Sequence, residues 1–140
     1  MKEATLIIDS LLQLIRDMEI IQSADQVVDS DPQIDEFTPF PVIHLREIDE
    51  TAPTRRGIDY KRTRNLQIDI YQPSTVTRAD RNELLDSVLK VIFHKPTGLK
   101  LEGTTLINLT VGTISLEPDE PSATALITQI PLAIEYASHL

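Results

Sequence analysis

Three histidines and a scatter of carboxylates are the residues with which this 140-residue chain could do acid–base or metal chemistry. His44 alternates with Ile43 and Leu45, which is the position of an outward-facing strand residue. His94 falls in the last turn of an expected helix, where a partial positive charge complements the dipole. No two of His44, His94 and His139 have the spacing that sets two imidazoles on one helix face, so zinc is not expected. Proton transfer by His44 would need a carboxylate such as Asp69, also expected to point outward, to meet it in a pocket across adjacent strands. Asp29, Asp31 and Asp35 resemble the opening of a calcium loop. However, Ile34 stands where the loop needs Gly and Phe40 where it needs its bidentate Glu. Gly57, Gly98, Gly103 and Gly112 are too scattered to cradle a phosphate, and no serine lies in a strained elbow beside a base. Cysteine is absent, which removes thiolate nucleophiles and zinc–thiolate sites. These residues point to no enzyme, no cofactor and no metal.

The unusual charge lies elsewhere. Asp49 to Thr63 is long for a connection in a compact domain, and residues 55–64 hold Arg55, Arg56, Lys61, Arg62 and Arg64 against Asp59 alone. A long basic loop or hairpin is expected at 49–64, and within it residues 55–64 carry +4 while the other residues of the chain sum to -13. One reading is a solvated loop without a specific role. A second is a basic arm that reaches an acidic surface on the next copy, as suits a head-to-tail ring. A third is an adaptor that holds acidic or nucleic partners through this loop. The acidic turn Glu117 to Ser122 supplies candidates of the opposite sign in Glu117, Asp119 and Glu120. These could chelate a hard cation, although a solvated hairpin tip is the simpler reading. A net charge of -9 and a pI near 4.7 oppose general affinity for nucleic acid. The absence of Trp, with 4% aromatics, leaves no set of stacking platforms.

The elements that must position these residues follow from periodicity. Ile7, Ile8, Leu11, Leu14, Ile15 and Met18 share one side of a helix from Glu3 to Met18. A weak strand is expected at Gln26 to Asp29, then a proline-rich acidic loop to Pro41, then strands at Val42 to Ile48 and Arg64 to Tyr71. In the second of these, Leu66, Ile68 and Ile70 face the core and Gln67 and Asp69 face water. Thr77 caps a second helix whose stripe is Leu84, Leu85, Val88, Leu89, Val91 and Ile92, ending at Pro96 and Gly98. One long strand is expected from Thr104 to Leu116. The last runs from about Thr124 to Tyr136, with Pro131 marking a sheet edge or a bulge. The reading is a single α+β domain over 1–140. It has a mixed, mostly antiparallel sheet of four to five strands packed with two amphipathic helices, in the order α-β-β-β-α-β-β. The crossover through the second helix would pair its flanking strands in parallel. The longest apolar runs are a few residues, as at Leu6 to Ile8, too short for a membrane span, so a cytosolic or particle-bound protein is expected.

This order resembles the tail terminator, or tail completion, proteins of long-tailed bacteriophages, a family that includes the minor tail protein U. The likeness rests on the opening helix, on Phe40-Pro41-Val42-Ile43-His44-Leu45, and on Leu66-Gln67-Ile68-Asp69-Ile70-Tyr71. It continues through Leu84-Leu85-Asp86-Ser87-Val88-Leu89 and a closing hairpin that ends in Ile134-Glu135-Tyr136. The resemblance implies a non-enzymatic virion protein at the head–tail junction, assembled in the host cytoplasm. It would form a hexameric ring on the tail tube protein, stop tube polymerisation and present a docking surface to the head-tail connector, with DNA passing through the ring. Head–tail joining and baseplate subunits share the same pattern. A terminal strand broken by Pro131 would then limit growth at a sheet edge.

Overall fold

The structure, a computed structural model, describes residues 2–35, 38–56, 59–94, 105–118 and 125–139. Helix α1 (Lys2–Arg16) forms where the apolar stripe was expected, and it buries Ile7, Ile8, Leu11, Leu12 and Ile15, with Leu14 half-buried at the margin. Helix α2 (Arg78–His94) starts as expected at Thr77, whose Oγ1 accepts from the Asp80 amide at 3.1 Å. Its buried stripe, Leu84, Val88 and Ile92, follows a strict four-residue step, with Leu85, Leu89 and Val91 half-buried beside it. The expected stop at Pro96 and Gly98 lies outside the described residues.

Among the described residues six strands form one sheet: β1 (Val27–Val28), β2 (Val42–Arg56), β3 (Asp59–Pro73), β4 (Thr105–Val111), β5 (Ser115–Pro118) and β6 (Ala125–His139). The fold is thus α+β with a mixed, mostly antiparallel sheet. The spatial order is β1-β2-β3-β6-β4, and β5 lies against β6 in line with β4. Ile43, Leu45, Leu66, Ile68, Ile70, Ile130, Leu132, Ile134 and Tyr136 share the face that packs with both helices. Strict alternation over long strands dictates this face, since a one-residue slip would turn the whole set to the opposite side.

Three sequence expectations change. The parallel pair is β1 with β2, because β6 inserts between β3 and β4 and keeps the strands that flank α2 apart. The single strand expected from Thr104 to Leu116 is two strands, β4 and β5, which both pair with β6. Pro131 lies in an interior strand and not at an edge. Its carbonyl accepts from the Gly112 amide at 2.9 Å, so its nitrogen also faces the β4–β5 side, where pairing stops at Val111↔Leu132 and resumes at Ser115↔Gln129. The missing N–H thus falls where β4 leaves the ladder, and the pairing with β3 is untouched.

Candidate assembly surfaces at the two ends of the sheet

The basic segment is a hairpin and not a loop. Pairing between β2 and β3 runs from Val42↔Tyr71 to Arg56↔Asp59, with register shifts between Glu47 and Asp49 and between Thr51 and Thr54. On its other side β3 is laced to β6 along its full length, as far as Asp59↔His139. Of the loop or hairpin expected at 49–64, the strand pairing thus gives the hairpin.

Three of the five basic candidates are engaged within the chain. Arg62, whose side chain is 11% exposed, puts Nη2 at 2.7 Å from Glu50 Oε2. Its guanidinium carbon lies 5.5 Å from the centre of the Tyr136 ring. Tyr136 is fully buried and its hydroxyl donates to Glu50 Oε1 at 3.0 Å. The Arg62 hydrogen bond holds the Glu50 carboxyl below its ordinary range, whereas burial, followed by the Glu50 contact, raises the Tyr136 hydroxyl. Arg64 reaches Glu47 at 3.4 Å and Glu50 at 3.9 Å, and Lys61 reaches Glu135 at 3.3 Å. The counter-charges come from β2 and β6. What is a run of positive charge along the sequence is thus a mixed cluster in space. Arg55 and Arg56 lie in the last turn-ward residues of β2. Glu117 is exposed on β5, and Asp119 and Glu120 lie outside the described residues.

The opposite end of the sheet carries a groove of about 880 Å³. Met18, Ile20, Phe40, Pro41, Leu84 and Val91 line it, and exposed Glu19, Asp80, Glu83 and Lys90 are its charged members. One wall is set by Gln26, a buried side chain whose amide donates to the Pro41 carbonyl at 2.9 Å and accepts from the amides of Gln22 and Ser23 at 2.9 and 3.0 Å. The sequence reading missed Gln26. Its signal was the Ser23-Ala24-Asp25-Gln26 capping box, which forms here on a single 3-10 turn.

His44 and Asp69 are direct cross-strand partners, and both are buried, at 3% exposure each. Their expected outward, wet positions are corrected, because the face opposite the helices is closed at this point. The Asp69 carboxylate is already engaged: Arg46 Nε lies 2.8 Å from Oδ2, and Gln67 donates to Oδ1 at 2.7 Å. The Arg46 contact is an ion pair with poor donor geometry, since Nε makes no well-angled hydrogen bond. His44 Nε2 stands 4.0 Å from Asp31, and burial lowers the imidazole from its ordinary 6.5 despite the attraction of Asp69. A neutral histidine beside a committed carboxylate, away from both the groove and the hairpin cluster, serves packing of the sheet.

No family model matches the chain, and no curated protein matches it. Among solved structures, the chain is similar to a protein in the "Virion of native gene transfer agent (GTA) particle". The superposition gives a TM-score of 0.66 at 12% identity, and it covers 91% of this chain and 92% of that one. At this identity the likeness is one of fold.

Proposed function

We infer that the chain is a structural component of a phage-like virion, and within that class the tail terminator. In this role copies of the chain close into a ring, a hexamer, on the last turn of the tail tube protein. The ring stops tube polymerisation and offers its outer face to the head-tail connector, and DNA passes through its centre. The observation that carries this reading is the fold likeness over nine-tenths of both chains to a protein of a gene transfer agent virion.

The test adds the purified chain to polymerising tail tube protein from the same particle. Negative-stain images should show rings at one end of shortened tubes, and multi-angle light scattering should give the ring mass. Unaltered tube lengths with bare ends would overturn the terminator role. Rings bound at the head or baseplate instead would favour the joining or baseplate reading.

A further inference from the structure

We propose that His44 and Asp31 form a proton-operated latch, in which a charged imidazole draws the Asp31 carboxylate in and pins the segment after β1 to the sheet face opposite the helices. The latch goes beyond the assembly role and does not depend on it. The chain leaves β1 at Val28 and re-enters the sheet at Val42, and both ends of this excursion are tied. Val27 and Val28 pair in parallel with Ile43 and His44, and the Gln26 side-chain amide donates to the Pro41 carbonyl at 2.9 Å. The excursion therefore starts beside His44, and Asp31 Oδ1 stands 4.0 Å from His44 Nε2.

That distance is too long for a hydrogen bond. The imidazole is 3% exposed, and among the described residues its Nδ1 has no hydrogen-bond partner, so the neutral ring is packed but not fastened. Four charged groups face it. Asp69, its cross-strand neighbour on β3, is already held by Arg46 at 2.8 Å and by Gln67 at 2.7 Å. Arg46 of β2 repels an imidazolium, whereas Asp29 and Asp31, both exposed on the segment after β1, attract it. Asp31 combines reach with freedom to move, since its side chain is 98% exposed.

A proton on His44 makes both ring nitrogens donors and places a charge where water is nearly excluded. Asp31 then has to close by only about 1 Å to give Nε2 a charge-assisted hydrogen bond. Burial is the largest influence on the ring and holds it below its ordinary 6.5, so the latch is open at neutral pH and closes in acid. Acid thus acts in two opposite directions. It weakens the fold as a whole, because the unfolded chain takes up the proton more readily, and it tightens the segment in the molecules that remain folded.

The test is an NMR titration of the full chain from pH 7.5 to pH 5, following the His44 ring and the backbone order parameters of Ser30 and Asp31. The order parameters are expected to rise as His44 takes up its proton. Asp31→Asn, a change at an exposed side chain, should lower the His44 midpoint by about one pH unit, a tenfold loss in proton affinity, and should abolish the rise. His44→Gln should leave the order parameters the same at both ends of the range. Order parameters that stay flat or fall in the parent would overturn the latch, and so would an Asp31→Asn chain that titrates and orders like the parent. An Arg46 Nε–H signal displaced by acid to the same extent in the parent and in Asp31→Asn would assign the charged ring to Asp69, which overturns it as well.

Discussion

His44 is held neutral by its surroundings, and that has a sign. Its folded-state value lies below the ordinary 6.5 because burial disfavours the imidazolium, with Arg46 adding to the effect and Asp69, Asp31 and Asp29 opposing it. The unfolded chain therefore binds the extra proton first. Stability is fully present above about 6.5 and declines as pH falls from there toward the folded-state value. Urea midpoints measured from pH 7.5 down to pH 5 should fall for the parent and fall less for His44→Gln. A second residue-scale expectation concerns Glu50, which satisfies both Arg62 and Tyr136. Glu50→Ala removes the carboxylate paired with a guanidinium that is only 11% exposed and should cost about 1.5–3 kcal/mol in denaturant melts. Tyr136→Phe removes one neutral donor and should cost about 1 kcal/mol. Equal losses from the two substitutions would show that the Arg62 contact contributes little. The sequence singled out Arg62 as an interface candidate but could not show that Glu50 joins it to Tyr136, since Glu50 and Tyr136 lie 86 residues apart.

At the scale of elements, β6 organises the sheet. It pairs with β3 on one side and with β4 and β5 on the other, which is why it must be long and why one proline within it is tolerated. Because the Pro131 nitrogen faces the gap between β4 and β5, Pro131→Val should change stability by less than about 1 kcal/mol. The restored N–H meets no ladder partner there, so the lost chain stiffness is the main change. The same variant should form no fibres in micrographs, since no sheet edge is opened; fibres would show that Pro131 guards one after all. The helix caps behave as local rules require. Thr77→Ala should cost about 1 kcal/mol through the Asp80 amide it leaves unpaired, measurable as a lowered thermal midpoint. Element types were legible because the apolar period is clear in α1, α2 and β3. The break at 112–114 was not, because β-branched residues run through it on both sides and only the pairing with β6 decides where a strand ends.

At the scale of the whole molecule, one apolar interior joins both helices to one face of the sheet. Leu11 and Ile68 are fully buried from opposite layers of it. Leu11→Ala and Ile68→Ala should each cost roughly 2–5 kcal/mol, read as a lower urea midpoint with an unchanged slope. A small loss at either position would place it outside the shared core. Assembly, by contrast, should be insensitive to such changes so long as the chain stays folded.

The amino-acid order by itself determined the two helices, the alternation that selects the core face, the cap at Thr77 and the unusual density of basic residues at 55–64. These are short-range facts, fixed by the 3.6- and 2-residue periods and by side-chain-to-backbone hydrogen bonds within one turn. Which charges meet, which strand is central, and that His44 and Asp69 are closed to water were decided only by tertiary pairing. Partners such as Glu50 with Tyr136, or Gly112 with Pro131, are brought together by strand register, a long-range outcome that no local pattern encodes.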